Sequence, residues 1–274
     1  MIEKVVYTNH LGESVRMDGS SGIFCNAGDL RDFTYSVTTK NNRISNFGKG
    51  VVKKTLPVVI ACTDVEAGTV IRNRLFEVME KDILTGKHGR IIIGDYYLRC
   101  FVTGSAKTDY FIYKGYIKLS LSVTTDLPEW IRETVFTFGY GKGSPGKNLD
   151  FNRDFPSDYT SNLMGRSVCN KGFMPVHFRM KVYGVAENPA LTVGGHRYQV
   201  DALLQRNEYL TVDSVNRTIV QTHMDGSTEN LFNHRNRESY IFEKIPSGIS
   251  LVSLGGCQKA DITLLEERSE PEWT

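Results

Sequence analysis

A mainly β fold in two domains, with one substantial helix in the first, is predicted by three observations along these 274 residues. Short alternating runs rich in Val, Ile, Thr, Tyr and Phe recur in both halves, punctuated by Gly, Asn and Asp. A single window, "TDVEAGTVIRNRLFEVMEKDILTG", carries apolar residues at helical spacing. A connector dense in Gly, Asn, Asp, Ser and Pro, "GYGKGSPGKNLDFNRDFPSDYTSN", separates the halves. We therefore expect a first domain over 1–138, a linker over 139–164 and a second domain over 165–274.

In the first half "EKVVYTN", "FTYSVTT", "TLPVVIACT", "GRIIIGDYYLRCFVTGS" and "DYFIYKGYIKLSLSVTTD" read as strands. The helix is expected over about 64–85. Thr63 and Glu66 form a capping box, Val70, Ile71, Leu75, Val78, Met79 and Ile83 make its apolar stripe, and Gly86 stops it. After the connector "PVHFRMKVYG", "ALTVGGHRYQV", "EYLTVDSVNRTIVQT", "SYIFEKI", "ISLVSLGG" and "ADITLLEE" follow with no helix between them. Strands at that rhythm suggest a sandwich.

A net charge of +2 is near balance and favours neither a wholesale nucleic-acid binder nor an acidic tail. The five cysteines are scattered, with no C-x-x-C, and suggest neither a zinc site nor a disulfide framework. No secretory leader or membrane-spanning run is visible. "GKGSPGKN" at 141–148 approaches a phosphate-binding loop, but Asn148 replaces the magnesium-binding hydroxyl and Pro145 removes a backbone donor. No helical pattern follows it. None of the six histidines has another three to five residues away, and no nucleophile elbow appears. Adjacent carboxylates such as Glu266 and Glu267 would point to opposite faces of a strand. The "NRT" at Asn216 reads only as a polar hairpin tip. No catalytic residue, cofactor or metal site is expected, and the protein is not read as an enzyme.

One charge feature stands out. From Phe33 to Thr63 the chain has no acidic residue, while Lys40, Arg43, Lys49, Lys53 and Lys54 lie in or beside "TTKNNRISNFGKGVVKK", with Phe47 among them. A solvated basic loop is the plain reading. The functional reading is a long arm, over about 33–63, that docks on another subunit or lines a passage for nucleic acid, lysines tracking phosphates without reading sequence.

Several segments together resemble the distal tail protein (Dit) family of siphophages: "NKGFMPVHFRMKVYGVAENPALTV", "EYLTVDSVNRTIV", "NLFNHRNRESYIFEKIPSG" and the ending "ITLLEERSEPEWT". In the first half "DLRDFTYSV", "IRNRLFEVMEKD" and "DLPEWIRE" fit the same order. The resemblance covers essentially the whole chain. It implies an N-terminal β-sheet or split-barrel domain with one helix and a C-terminal galectin-like β-sandwich, its last residues returning to the first domain. It further implies a structural part of the virion, made in the host cytoplasm: a homohexameric ring joining the tail tube to the tail tip, its subunits clasped by belt-like arms. Partners would be the tail tube protein, the tape-measure protein, a tail-associated lysin or tail-fibre hub, and receptor-binding proteins. DNA would pass through the lumen without specific contacts. Lys40, Arg43, Phe47, Lys49, Lys53 and Lys54 fall in the belt's expected place. The alternative is a carbohydrate-binding, lectin-like module, for which Tyr183, Tyr198, Tyr209 and Tyr240, with His196 and Arg197, are the candidate contacts.

Overall fold

The computed structural model describes residues 4–111, 116–139 and 167–273. The chain forms two compact units, one of Met1–Arg132 with Glu267–Thr274 and one of Glu133–Glu266. Apart from Gly139, the expected linker and its "GKGSPGKN" stretch lie outside the described residues. The fold is mainly β, as the alternation predicts.

The first unit is built in chain order from β1 (Val5–Thr8), β2 (Ser14–Arg16), β3 (Ile23–Cys25), a single helical turn α1 (Gly28–Arg31), β4 (Ser36–Lys40), β5 (Arg43–Gly48), β6 (Val52–Ala61), helix α2 (Val65–Thr85), β7 (Gly89–Ile93), β8 (Tyr96–Phe111), β9 (Tyr116–Thr125) and the start of β10 (Trp130–Gly139). All pairings are antiparallel. β2, β1, β7, β8 and β10 form one sheet. β3, β6, β9 and the second half of β8 form another. β8 is long enough to serve both.

Strand alternation explains the core. Leu56, Val58 and Ile60 of β6 face inward beside Leu121, Leu119 and Ile117 of β9, while their sequence neighbours point outward. Burying such side chains supplies about 1.5–3 kcal/mol each, less the entropy of ordering them. α2 packs on this layer through Gly68, Leu75, Val78, Met79 and Asp82. Two expectations need correcting. The N-cap is Asp64, whose carboxylate accepts from Ala67 N at 2.7 Å, because the extended backbone needed at a cap falls there and not at Thr63. The buried stripe is also shifted: Val70 and Ile83 are exposed, since only about a third of the helix circumference meets the sheet. The stop at Gly86 holds, with φ 64° in the left-handed region.

A buried carboxylate locks α2 to the first hairpin. Asp82 Oδ2 accepts from Tyr7 Oη at 2.5 Å, and Oδ1 accepts from His10 N at 2.9 Å and meets His10 Nδ1 at 2.5 Å. Burial and this hydrogen bond push the Tyr7 phenol far above its ordinary range. Around the same turn Glu13 is gripped by Lys81 at 2.8 Å and by Asn9 at 2.7 Å, which holds its carboxyl down at about 2.

The second unit continues with β11 (Ser167–Asn170), β12 (His177–Val193), β13 (His196–Gln199), β14 (Leu203–Leu204), β15 (Tyr209–Asp213), β16 (Thr218–Thr222), β17 (Thr228–Asn230) and β18 (Gly248–Arg268), which runs on to Glu267 and Arg268 of the first unit. β12 and β18 pair over most of their length, bending together through register shifts between Tyr183 and Ala190. Runs that the sequence splits into separate strands are therefore single long ones. "SYIFEKI" is not a strand. Ile241, Phe242 and Ile245 plug the core from a turn-rich segment held by the Val176–Ile245 bridge, so its apolar character reflects burial and not a ladder.

Candidate interaction arm

β4 and β5 form a two-stranded sheet of their own, paired to no other strand among the described residues. The sequence dictates its tip. Asn41 and Asn42 have φ 52° and 57°, the pair of left-handed residues that a two-residue hairpin turn requires and that asparagine tolerates. In the sequence this stretch reads as a basic loop or arm, with neither the turn nor β5 assigned, although "KNNR" between two alternating runs carries the signal. Ser45 is an extra residue in β5, its hydroxyl donating to Thr38 O at 2.9 Å, so Val37 faces Phe47 and Thr39 faces Ile44.

Those pairs make the hairpin two-faced. One face carries Tyr35, Val37, Ile44 and Phe47, with Phe33 at its base, and all five are exposed, Ile44 by 60% and Phe47 by 58%. Phe33, Tyr35 and Phe47 touch edge to face, at centroid distances of 6.0 and 6.5 Å. At the tip Lys40 pairs with Arg43, two exposed cations side by side. An alternating apolar face of this kind, with no covering layer among the described residues, is a candidate interaction surface.

The root is anchored where the tip is not. Residues 269–273 lie along it. Tyr35 Oη and Ser269 Oγ are 2.7 Å apart, and Lys49 Nζ donates to Ser269 Oγ at 2.9 Å and lies 3.4 Å from Glu129 Oε1. Arg31, almost fully buried, donates to Pro271 O at 2.8 Å and stacks on the Trp273 ring at 4.0 Å. The Ser269 hydrogen bond holds the Tyr35 phenol below its usual range despite burial. A cleft of about 460 Å³ lies at the root, lined by Asp32, Phe33, Lys49, Lys53, Lys54 and Pro128 among others.

The six candidate residues thus separate. Lys40, Arg43 and Phe47 are on the free part of the hairpin, and Lys49 is at its anchored root. Lys53 and Lys54 belong to β6, a central strand of the sheet. Lys53 points outward, whereas Lys54 donates to Asp32 O and burial lowers its pKa. Phe33 and Tyr35 fall inside the expected arm but are not among its candidate contact residues, although their spacing with Val37 is the period of a strand face.

The lectin candidates do not form one platform. Tyr198 is buried, donating to Glu243 O at 2.9 Å, whereas the Tyr240 side chain is exposed. Tyr183 and Tyr209 pair across β12 and β15, but Lys181 and Lys259 lie over their rings at 3.7 to 5.2 Å. His196 meets Tyr240 O at 2.9 Å. Arg197 pairs with Thr192 on the edge of the sheet.

No protein-family model matches the chain, and no curated protein matches it. Solved structures do. The phage P2 baseplate in its activated conformation with Ca contains a chain that aligns with a TM-score of 0.63 and 14% identity, over 99% of this chain and 100% of that one. The same phage's baseplate with Sr gives 0.61 and 13%, over 99% and 100%. The SPP1 Dit protein, described as a paradigm of hub adsorption apparatus in phages infecting Gram-positive hosts, gives 0.57 and 11%, over 98% and 100%. The chain has the fold of phage baseplate and Dit hub proteins from end to end, a likeness of fold at these identities.

Proposed function

We propose that this chain is a structural distal tail protein of a long non-contractile-tailed phage. Its copies close into a hexameric ring that joins the tail tube to the tail tip, where a tail fibre or tail-associated lysin and receptor-binding proteins assemble. The observation that carries the reading is the end-to-end match in fold to baseplate and hub chains. The exposed two-faced hairpin supports it, because a ring needs a head-to-tail contact and an arm supplies one. The outer face of β6 and β9 is compatible with passage of DNA: Thr55, Ser120, Ser122 and Thr124 lie on it with Lys53 and Lys118, beside Pro57, Val59 and Tyr116. The role is structural and not catalytic.

The test is mass in solution and negative-stain microscopy of the full chain, alone and with the tube or hub protein. Six-fold rings are expected. A strict monomer under every condition would sink the reading.

A further inference from the structure

The outer face of the sheet formed by β2, β1, β7 and β8 carries a cluster of arginines. Strand alternation puts it there. Tyr7, Ile91, Leu98 and Cys100 are buried on the core side, so Thr8, Arg90 and Arg99 stand on the other. Ser14, Thr8, Arg90 and Arg99 form one cross-strand row over the four strands, and Arg16 lies in the next row, opposite Val6. Arg90 and Arg99 are direct partners in the ladder, and like charges so placed repel.

Among the described residues Arg16, Arg90 and Arg99 take part in no ion pair, whereas Arg74 grips Glu13, and Arg132 and Arg268 hold Glu272. The carboxylates that flank these strands are engaged elsewhere. Asp18 accepts from Ser20, Asp126 lies 3.0 Å from His88, and Glu129 lies 3.4 Å from Lys49. Arg99 Nε is buried and has no hydrogen-bond acceptor. A buried donor left open is costly, and a facing guanidinium adds to the cost; one anion between them relieves both. The Arg90 guanidinium lies over the Tyr97 ring at 4.7 Å, which restricts where it can reach. Thr8 Oγ1 and Ser14 Oγ are 2.8 Å apart, so one hydroxyl donates to the other and the second keeps its proton for a ligand.

We infer that Arg90 and Arg99, with the Thr8–Ser14 hydroxyl pair, form a binding site for a phosphate group. Two guanidinium forks and a hydroxyl offer donors from separate directions. That set suits the three acceptor oxygens of a phosphoryl group better than the two of a planar carboxylate. Arginine matches phosphate with paired N–H donors, and no lysine stands in the row. The site lies wholly on the first unit and does not rest on the tail-tip reading above.

The experiment titrates the full chain with inorganic phosphate by calorimetry, against sodium chloride of equal ionic strength. Saturable binding is expected. Arg90→Gln and Arg99→Gln should each weaken it about tenfold or more, and Arg99→Lys, which keeps the charge and loses the fork, should not restore it. Melting curves without phosphate, expected to be unchanged or raised because the facing charges repel, show that these variants fold. Arg43→Gln, at the exposed hairpin tip, should bind phosphate as the parent does. Equal loss in Arg43→Gln, acetate binding as tight as phosphate binding, or no phosphate binding by the folded chain would each overturn the inference. A short oligodeoxynucleotide separates the sources of the phosphate. Binding that is lost in the same variants assigns it to a nucleic-acid backbone, and phosphate binding without oligonucleotide binding assigns it to a free phosphate.

Discussion

At the scale of single residues, the first unit depends on a carboxylate where a helix would ordinarily bury carbon. Asp82 falls on the stripe of Leu75, Val78 and Met79 and is fully buried, yet three hydrogen bonds to the β1–β2 hairpin satisfy it. Asp82→Ala removes those acceptors and strands the Tyr7 hydroxyl, so chemical denaturation should show a loss of about 2–4 kcal/mol. Gly89→Ala should act on the same network, because a Cβ there overlaps both Tyr7 Oη and Asp82 Oδ2. In the second unit, His223 lies 2.8 Å from Glu208 Oε1 and 3.6 Å from Glu229 Oε2. The Glu208 hydrogen bond raises the His223 pKa. Hydrogen bonds from the Gln205 backbone first, and then from His223, lower that of Glu208. A raised histidine stabilises the fold fully below its unfolded pKa and loses that contribution as pH rises through its folded one. A depressed carboxylate contributes above its unfolded pKa and loses its effect as pH falls through its folded one. The pair therefore acts between the two folded values. Titration of the His223 ring by NMR should give a midpoint above the ordinary histidine value, and Glu208→Gln should return it towards that value. The acid in the helix stripe was visible in the sequence as a lone Asp among apolar positions. Its partners were not, because they come from strands more than seventy residues away.

At the scale of elements, the hairpin is a turn, a two-faced ladder and a root, each with its own sensitivity. Asn42→Val forces a β-branched residue into the left-handed region, at a cost of about 1–2 kcal/mol. Since among the described residues β4 and β5 pair only with each other, that cost should appear as faster amide exchange over 36–48 with little change in global melting, and Asn42→Gly should show neither. The root depends on the chain end. Deleting residues 269–274 removes the Ser269 contacts to Tyr35 and Lys49 and the Pro271 and Trp273 contacts to Arg31. Hydrogen bonds of this kind contribute about 1 kcal/mol each. Protection over 33–49 should therefore fall on the order of tenfold, and unchanged exchange would show that the tail does not set the arm's direction.

At the scale of the molecule, Glu133–Glu266 is continuous in sequence and has its own core, so excised it should melt cooperatively. The first unit is discontinuous, and a fragment ending at Arg132 should melt lower than the same unit with residues 267–274 supplied by the intact chain. The sequence by itself determined what depends on near neighbours: strand or helix in most segments, the stop of α2 at Gly86, and the acid-free composition of the arm region. Only the tertiary structure decided what depends on which segment meets which. It made "SYIFEKI" a core plug, merged "ISLVSLGG" and "ADITLLEE" into one bent strand, exposed Val70 and Ile83, and put Lys53 and Lys54 on β6 while leaving Lys40, Arg43 and Phe47 free. The physical reason is that alternation fixes which residues share a face, whereas burial of that face depends on a layer supplied from elsewhere in the chain or by another chain. For the β4–β5 hairpin no such layer exists among the described residues.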